Sequence, residues 1–108
     1  MPRSAVHPGK VLADKLDALG VTPTEFARQI DVPPNRISQI IHGKRSISGD
    51  TALRFAHWFG TAPEQWLSLQ VAYDVRLAER SSGRAIRRLP TRAQVTHGLV
   101  STRAKAAT

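Results

Sequence analysis

The stretch TEFARQIDVPPNRISQIIHGKR, from Thr24 to Arg45, decides the fold. Apolar residues recur at helical spacing on both sides of two adjacent prolines, Pro33 and Pro34. A proline is excluded from a helix interior because it lacks the amide N–H and its ring clashes with the preceding turn. It is well suited to a first turn, where that N–H has no intrahelical partner. The stretch therefore predicts two short helices joined at an angle, with the prolines starting the second.

The core positions within this stretch match those of a helix-turn-helix, in which a supporting helix packs on a second helix across a tight turn. Counting Pro23 as the first position, the inward positions hold apolar side chains: Phe26, Ala27, Ile30, Val32, Ile37 and Ile40. The ninth position, usually glycine, needs a backbone that is often left-handed. Here it is Asp31, which tolerates that conformation better than most side chains. A pair of amphipathic helices is also a common packing unit without DNA, and this reading stays open.

Three further helices surround the pair. The first runs from about Pro8 to Leu19, with Val11, Leu12, Leu16 and Leu19 on one stripe and Gly20 as its stop. The second helix of the chain, which is the first of the pair, opens with a capping box at Thr22 and Glu25. A fourth helix begins after Ser48 and ends at Gly60, and a fifth runs from about Pro63 to Arg80. The sequence predicts one all-α domain over residues 1–80, made of five helices.

The outward face of the third helix carries side chains that suit DNA. Asn and Gln pair with adenine and Arg with guanine or phosphate, because their donors and acceptors match the base edges. We expect four residues to read bases: Asn35, Ser38, Gln39 and His42. We expect four to hold phosphates: Thr24, Arg36, Lys44 and Arg45.

The fifth helix has more apolar surface than one small domain covers. Trp66, Leu69, Tyr73 and Leu77 form one stripe, while Leu67, Val71 and Val75 lie off it. The excess predicts a homodimer with an interface that includes Trp66, Leu67, Val71 and Val75. Two recognition helices would then meet a palindromic double-stranded DNA site.

The charge is concentrated at the C-terminal end. Residues 1–80 hold ten basic and eight acidic side chains, whereas residues 81–108 hold six basic and no acidic ones. We expect residues 81–108 to form a basic, flexible tail that is mostly disordered when alone and adds contacts to flanking DNA, and Ile86 to Leu89 could add a short turn or strand on a partner. The 108 residues contain no cysteine, no span-length apolar run and no secretory core, which predicts a cytoplasmic protein that does not enter membranes.

The sequence contains little that indicates catalysis or metal binding. The four histidines, His7, His42, His57 and His97, are scattered, and no pair of ligands repeats at metal spacing. Ser38 and His42 lie four residues apart, as a nucleophile and base could, but no carboxylate is placed to orient the imidazole. We expect no enzyme activity, metal or cofactor.

Three motifs resemble those of HigA-type antitoxins of the XRE helix-turn-helix family. They are HPG at residues 7–9, RISQIIHGKRSIS.DTALR at 36–54 and W.SLQ.AYD at 66–74. The resemblance covers His7 to Arg76 and implies a lambda-repressor-like bundle. It also implies a dimer that represses its own operon and neutralises a cognate HigB/RelE-like, mRNA-cleaving toxin. Two alternatives stay open, a stand-alone XRE-type regulator without a toxin and, more distantly, an RNA-binding or structural protein that uses the tail.

Overall fold

The computed structural model describes residues 6–98, and every regular element in this range is an α-helix. The helices are α1 (Pro8–Leu19), α2 (Pro23–Gln29), α3 (Pro34–Ile41), α4 (Gly49–Phe59), α5 (Pro63–Arg87) and α6 (Arg92–Gly98). The all-α class and the five predicted helices are confirmed, and a sixth helix follows them. The chain divides into two compact units, one ending at Leu77 and the other beginning at Ala78.

The core of the first unit is built from the predicted inward positions. All six inward residues of the helix-turn-helix are buried, together with Leu12 and Leu16 of α1 and Phe55 of α4. Aromatic rings fill the centre, where Phe26 lies 5.4 Å from Phe55 and 5.0 Å from Trp58, measured between ring centroids. Edge-on and tilted pairs at such distances are favourable because each ring edge is positive and each face negative. This cluster fixes α2 against α4.

The turn between α2 and α3 has the predicted left-handed residue. Asp31 has φ of 57°, and its neighbour Val32 donates its amide to the Ala27 carbonyl at 3.0 Å. This is the closing bond of a Schellman motif, which ends a helix while satisfying its last carbonyls. Arg54 of α4 also donates to the Ile30 carbonyl at 2.8 Å. No local sequence pattern predicts this contact, which ties the turn to the next helix.

Gly9 allows α1 to lie directly on the end of α3. A Cβ atom at this position would lie 1.8 Å from the Ile40 carbonyl oxygen and 3.0 Å from the Ile41 Cα. Both are backbone atoms, so rotating a side chain would give no relief. The glycine of the HPG motif is therefore required by helix packing, and the packing brings the preceding His7 close to the loop that follows α3.

The expectation that residues 81–108 are mostly disordered is wrong for two segments. Helix α5 continues to Arg87 instead of ending near Arg80, because extending an existing helix needs no new nucleus and the segment contains alanine and arginine. Thr91 and Gln94 then start α6 with a reciprocal capping box, whose bonds measure 2.8 and 3.3 Å. Residues 99–108, with their two basic side chains, lie outside the described residues.

One side chain assigned to an inward stripe, Leu19, differs from expectation. Leu19 and Leu53 are exposed, while their helices remain anchored by neighbouring core residues. Leu19 is the last residue of α1, where the chain turns away at Gly20, and Leu53 lies on the outer side of α4. An apolar residue alone on a surface is ordinary and changes nothing in the fold.

Replacing Gly9 with alanine should destabilise the fold. The added methyl must push α1 away from α3, and overpacking of this kind costs about 1–3 kcal/mol. The thermal midpoint should fall by roughly 4–8 °C for each kcal/mol in a domain of this size. Gly49→Ala is the control, since no atom lies within 4 Å of a Cβ built there. Equal melting temperatures for the two variants, measured by circular dichroism, would contradict the close approach.

Candidate nucleic-acid interface

Three of the predicted base-reading residues, Asn35, Ser38 and Gln39, lie on α3, and the fourth, His42, is the C-cap residue of that helix. Asn35, Ser38 and His42 are exposed and Gln39 is partly exposed. Their spacing of three, one and three residues places them one above another along the helix. Ile37 and Ile40 turn to the opposite side and are buried. The face is therefore free to meet a ligand while its backbone is fixed by the core.

The side chain of Gln39 is held by Arg45. The Arg45 Nε donates to Gln39 Oε1 at 2.9 Å. Because the guanidinium has donors only, the acceptor must be the amide oxygen, which fixes the orientation of the amide. The amide NH2 group of Gln39 is then the part available to a ligand. The sequence placed these residues in different roles, base reader and phosphate contact, and the structure joins them in one pair.

The ring of His42 folds back on its own helix. Its Nδ1 lies 2.8 Å from the Ser38 carbonyl oxygen, so Nδ1 carries the hydrogen and Nε2 points away. The contact is to the backbone and not to the Ser38 hydroxyl. The imidazole therefore does not act as a base beside the Ser38 hydroxyl, and the arrangement differs from a nucleophile–base pair.

The predicted phosphate contacts lie at helix ends. Thr24 and Arg36 lie in the first turns of α2 and α3, where backbone amides favour anions, and Thr24 is exposed while Arg36 is partly buried. Lys44 and Arg45 are exposed and follow Gly43, whose φ is 73°. The Lys44 amide donates to the Gln39 carbonyl at 2.8 Å. This bond ends α3 as a Schellman motif and directs the basic loop alongside the recognition face.

The segment from Gly43 to Ser48, here called the basic loop, is held from below by Gln70 of α5. Gln70 is only 5% exposed, and its Oε1 accepts from the Ile47 amide at 2.8 Å. Its Nε2 donates to Asp74 at 3.0 Å and contacts the Ser46 hydroxyl at 3.4 Å. All the polar atoms of the buried amide therefore have partners, as a buried polar group requires.

His7 holds the same loop from the other side. Its Nδ1 caps α1 by accepting from the Gly9 amide at 2.9 Å, and its ring meets Tyr73 edge-on at 4.8 Å between centroids. Burial lowers the pKa of His7, opposed by the charge of Asp74 and by a hydrogen bond with the Arg45 backbone. The imidazole thus joins the start of α1, the basic loop and α5.

The predicted dimer residues fall into two groups. Val71 is 60% exposed, Val75 is exposed, and Leu67 is partly exposed, at four-residue intervals along α5. Trp66 requires correction, because it is 3% exposed and its ring lies 5.1 Å from that of Phe55. Its side chain belongs to the core of the monomer, since it faces α4 and not the outer side of α5.

Sequence reasoning missed the support beneath the basic loop. The sequence identifies His7 only as a scattered histidine and as part of the HPG motif. Gln70, Tyr73 and Asp74 belong to the W.SLQ.AYD motif, but the sequence predicts no contact between them and the loop. One signal was present, because Gln70 lies four residues after Trp66 and three before Tyr73, on the inward stripe of α5. A polar residue at an inward position needs a specific partner, which here is the loop backbone.

These elements together define a helix-turn-helix protein with an exposed polar face on its second helix. A family model described as Helix-turn-helix matches residues 12–67. Virulence-associated protein I of Dichelobacter nodosus is 39% identical over 77 residues, which cover 70% of this chain and 71% of that protein. Among the described residues, no helix is both long and apolar enough to cross a membrane.

Solved structures of antitoxins resemble the chain over most of its length. An addiction module antidote protein of a HigA family from Coxiella burnetii is 43% identical, with a TM-score of 0.81 over 82% of this chain and 98% of that one. Pseudomonas aeruginosa antitoxin HigA, solved with the higBA promoter, is 29% identical with a TM-score of 0.79 and the same coverage of both chains. The chain belongs to the XRE-like helix-turn-helix family, among its HigA-type antitoxins.

In the folded chain, burial holds the pKa of His7 below 6.5, the ordinary pKa of histidine. The stability of the fold should therefore fall as the pH drops below 6.5. Below that value the unfolded chain binds a proton that the folded chain does not, so acid favours unfolding until the lowered pKa is passed. Protonation would also remove the Nδ1 acceptor that caps α1. Melting temperatures between about pH 5 and 8 measure the effect.

The informative quantity is a difference between two proteins that share every other titratable group. Asparagine caps helices well and does not titrate, so His7→Asn should melt with a smaller dependence on pH than the natural chain. Identical pH dependence in the two proteins would show that His7 contributes nothing to it.

Proposed function

We propose that the protein is a sequence-specific DNA-binding antitoxin that represses its own toxin–antitoxin operon and neutralises a RelE-like ribonuclease toxin. The observation that carries the DNA-binding part is the exposed face of α3 with its oriented Gln39–Arg45 pair beside Lys44. Direct readout of DNA needs polar side chains held in fixed positions on an element that fits the major groove, and a helix is such an element.

The base-reading set consists of Asn35, Ser38, Gln39 and His42. Since Arg45 occupies the amide oxygen of Gln39, the amide donates its N–H groups to acceptors on the base edges, such as guanine O6 and N7 or thymine O4. Thr24, Arg36, Lys44 and Arg45 hold the phosphates on either side. Contacts of this second kind place the protein on the duplex and carry no sequence information themselves.

The dimer forms through the exposed strip of Leu67, Val71 and Val75. Leu67 and Val71 of this strip line a shallow groove together with Glu64 and Ser68, so two copies related by a two-fold axis would bury apolar surface with polar residues at its edge. Two recognition helices then meet half-sites about one helical turn apart, ~34 Å, or a multiple of it, in a palindromic operator.

The toxin partner is supported by likeness alone. The HigA-family relative from Coxiella burnetii is described as an antidote protein, and 98% of its length matches this chain. A stand-alone regulator would have the same fold and DNA-binding face. Co-expression with the product of the adjacent gene decides between them, because an antitoxin must restore growth that a ribonuclease arrests and must co-purify with it. Growth arrest that the protein fails to relieve would favour the stand-alone regulator.

Separate replacement of Gln39 and Lys44 should distinguish contacts that read bases from contacts that bind any DNA. Gln39→Ala should weaken binding to the operator by about 1–3 kcal/mol and relax one base position. Lys44→Ala should weaken binding to all DNA alike and lower the slope of log affinity against log salt by about one. Fluorescence anisotropy on the operator and on a scrambled duplex, over a range of salt concentrations, measures both effects.

A duplex taken from the region upstream of the operon serves as the operator, and the scrambled duplex keeps its composition. Equal losses on the two duplexes for Gln39→Ala would remove this residue from the base-reading set. Failure of the natural chain to prefer the upstream duplex would overturn sequence-specific binding itself.

Replacing Val71 with aspartate should produce monomers at micromolar concentration, because the substitution places a charge at the centre of the apolar strip. Leu53→Asp is the matched control, since Leu53 is 61% exposed, close to the 60% of Val71, but lies on α4. Sedimentation equilibrium should find dimers for the control and the natural chain. A natural chain that sediments as a monomer and binds the palindrome as a single copy would exclude the interface.

A further inference from the structure

We infer that His7 and Gln70 are positioning residues for DNA binding, which hold the basic loop Gly43–Ser48 against the recognition helix. The inference rests on the proposed function, since it assigns a role to two residues that do not lie on the DNA-facing surface. Both act through the loop: Gln70 holds its C-terminal half and His7 its N-terminal half.

Gln70 binds the backbone of the loop and not only its side chains. The Ile47 amide lies beneath the surface, and its donor is satisfied by Gln70 Oε1 at 2.8 Å. Gln70 itself cannot rotate freely, because its Nε2 donates to Asp74 one helical turn later at 3.0 Å. Since the Ile47 side chain is also buried, this end of the loop is fixed in position by one apolar and one polar anchor.

His7 acts on the half of the loop that carries the basic side chains. Its ring lies against the loop at Gly43, where its Cγ is 3.8 Å and its Cδ2 is 3.9 Å from the position that a Cβ of Gly43 would take. Tyr73 meets the ring edge-on at 4.8 Å between centroids and limits its movement from the α5 side. The left-handed turn at Gly43, two residues before Arg45, therefore lies directly against the imidazole.

The position of Arg45 matters beyond its charge. Its backbone follows the Gly43 turn that lies against His7, while its Nε donates to Gln39 Oε1 at 2.9 Å. A shift of the loop would release the Gln39 amide as well as move Lys44 and Arg45 away from the phosphates. Loss of the His7 or the Gln70 contact should therefore reduce both the salt slope and the discrimination between bases. Loss of Lys44 alone should reduce only the salt slope.

The test uses the full-length protein with Gln70→Leu and His7→Asn. Leucine keeps an apolar chain of similar size at position 70 and removes the acceptor for the Ile47 amide. Asparagine keeps a cap for α1 and removes the imidazole from the loop. Each variant should bind the operator about 2- to 30-fold more weakly, as mutations that act through a neighbouring element commonly do. The salt slope should fall in magnitude by about one to two.

A structural readout separates positioning from loss of fold. In Gln70→Leu, amide hydrogen exchange at Ile47 should accelerate while the core amides of α2 and α4 keep their protection. The matched control is Gln65→Leu, the same change at an exposed position of the same helix, which should leave binding and exchange unchanged. If Gln70→Leu does not fold, the double variant Gln70→Glu with Asp74→Asn replaces it.

In that double variant the carboxylate introduced at position 70 accepts from the Ile47 amide and from the side-chain amide introduced at position 74. The donors and acceptors are thereby exchanged between the two positions, and the loop stays anchored. The double variant should bind the operator with nearly the natural salt slope, whereas Gln70→Glu alone, which sets two carboxylates against each other, should not.

The positioning role would be overturned if the natural chain binds its operator and the folded variants His7→Asn and Gln70→Leu keep its affinity and salt slope. If Gln70→Leu does not fold, unchanged affinity and slope in folded Gln70→Glu would have the same meaning. Absence of operator binding by the natural chain would instead overturn the proposed function.

Discussion

The close approach of α1 to α3 at Gly9 is the constraint on which the rest of the structure depends. With only 1.8 Å between a Cβ at this position and the Ile40 carbonyl oxygen, no side chain other than hydrogen fits. Helix α1 packs on the inner side of α3, so the outer face of α3 stays exposed. The same packing places His7 beneath the basic loop that follows α3. The core side of α3 is occupied by Ile37 and Ile40, so its polar residues face outward.

From this contact a continuous set of interactions runs to the interface. His7 caps α1 and contacts the basic loop, Tyr73 packs on His7, and Gln70 of the same helix binds the other half of the loop. The next residue, Val71, lies about 100° further around the helix and belongs to the exposed strip. One turn of α5 thus supports the basic loop on one side and offers the proposed dimer surface on the other. The spacing between the two DNA-facing helices of a dimer would be set through this helix.

Periodicity and turn chemistry predict most of the fold, because they act between near neighbours. The apolar positions of α2 and α3, the left-handed Asp31 and the glycine stops at Gly20 and Gly60 all follow from local rules. The Arg54 bond to the turn and the Gln70 bond to Ile47 span more than twenty residues, so no local pattern contains them. The same limit explains Trp66, whose inward direction depends on where α4 lies, and the Gln39–Arg45 pair, which depends on the path of the loop.

The most direct test of the central claim is a titration of the 15N-labelled protein with the DNA upstream of its operon, followed by NMR. The account predicts that the largest shifts fall on the backbone amides from Asn35 to Arg45 and on the side-chain amides of Asn35 and Gln39. The core amides of α1 and α4 should shift little. Shifts confined to other helices or to the basic C-terminal segment, with α3 unaffected, would contradict it.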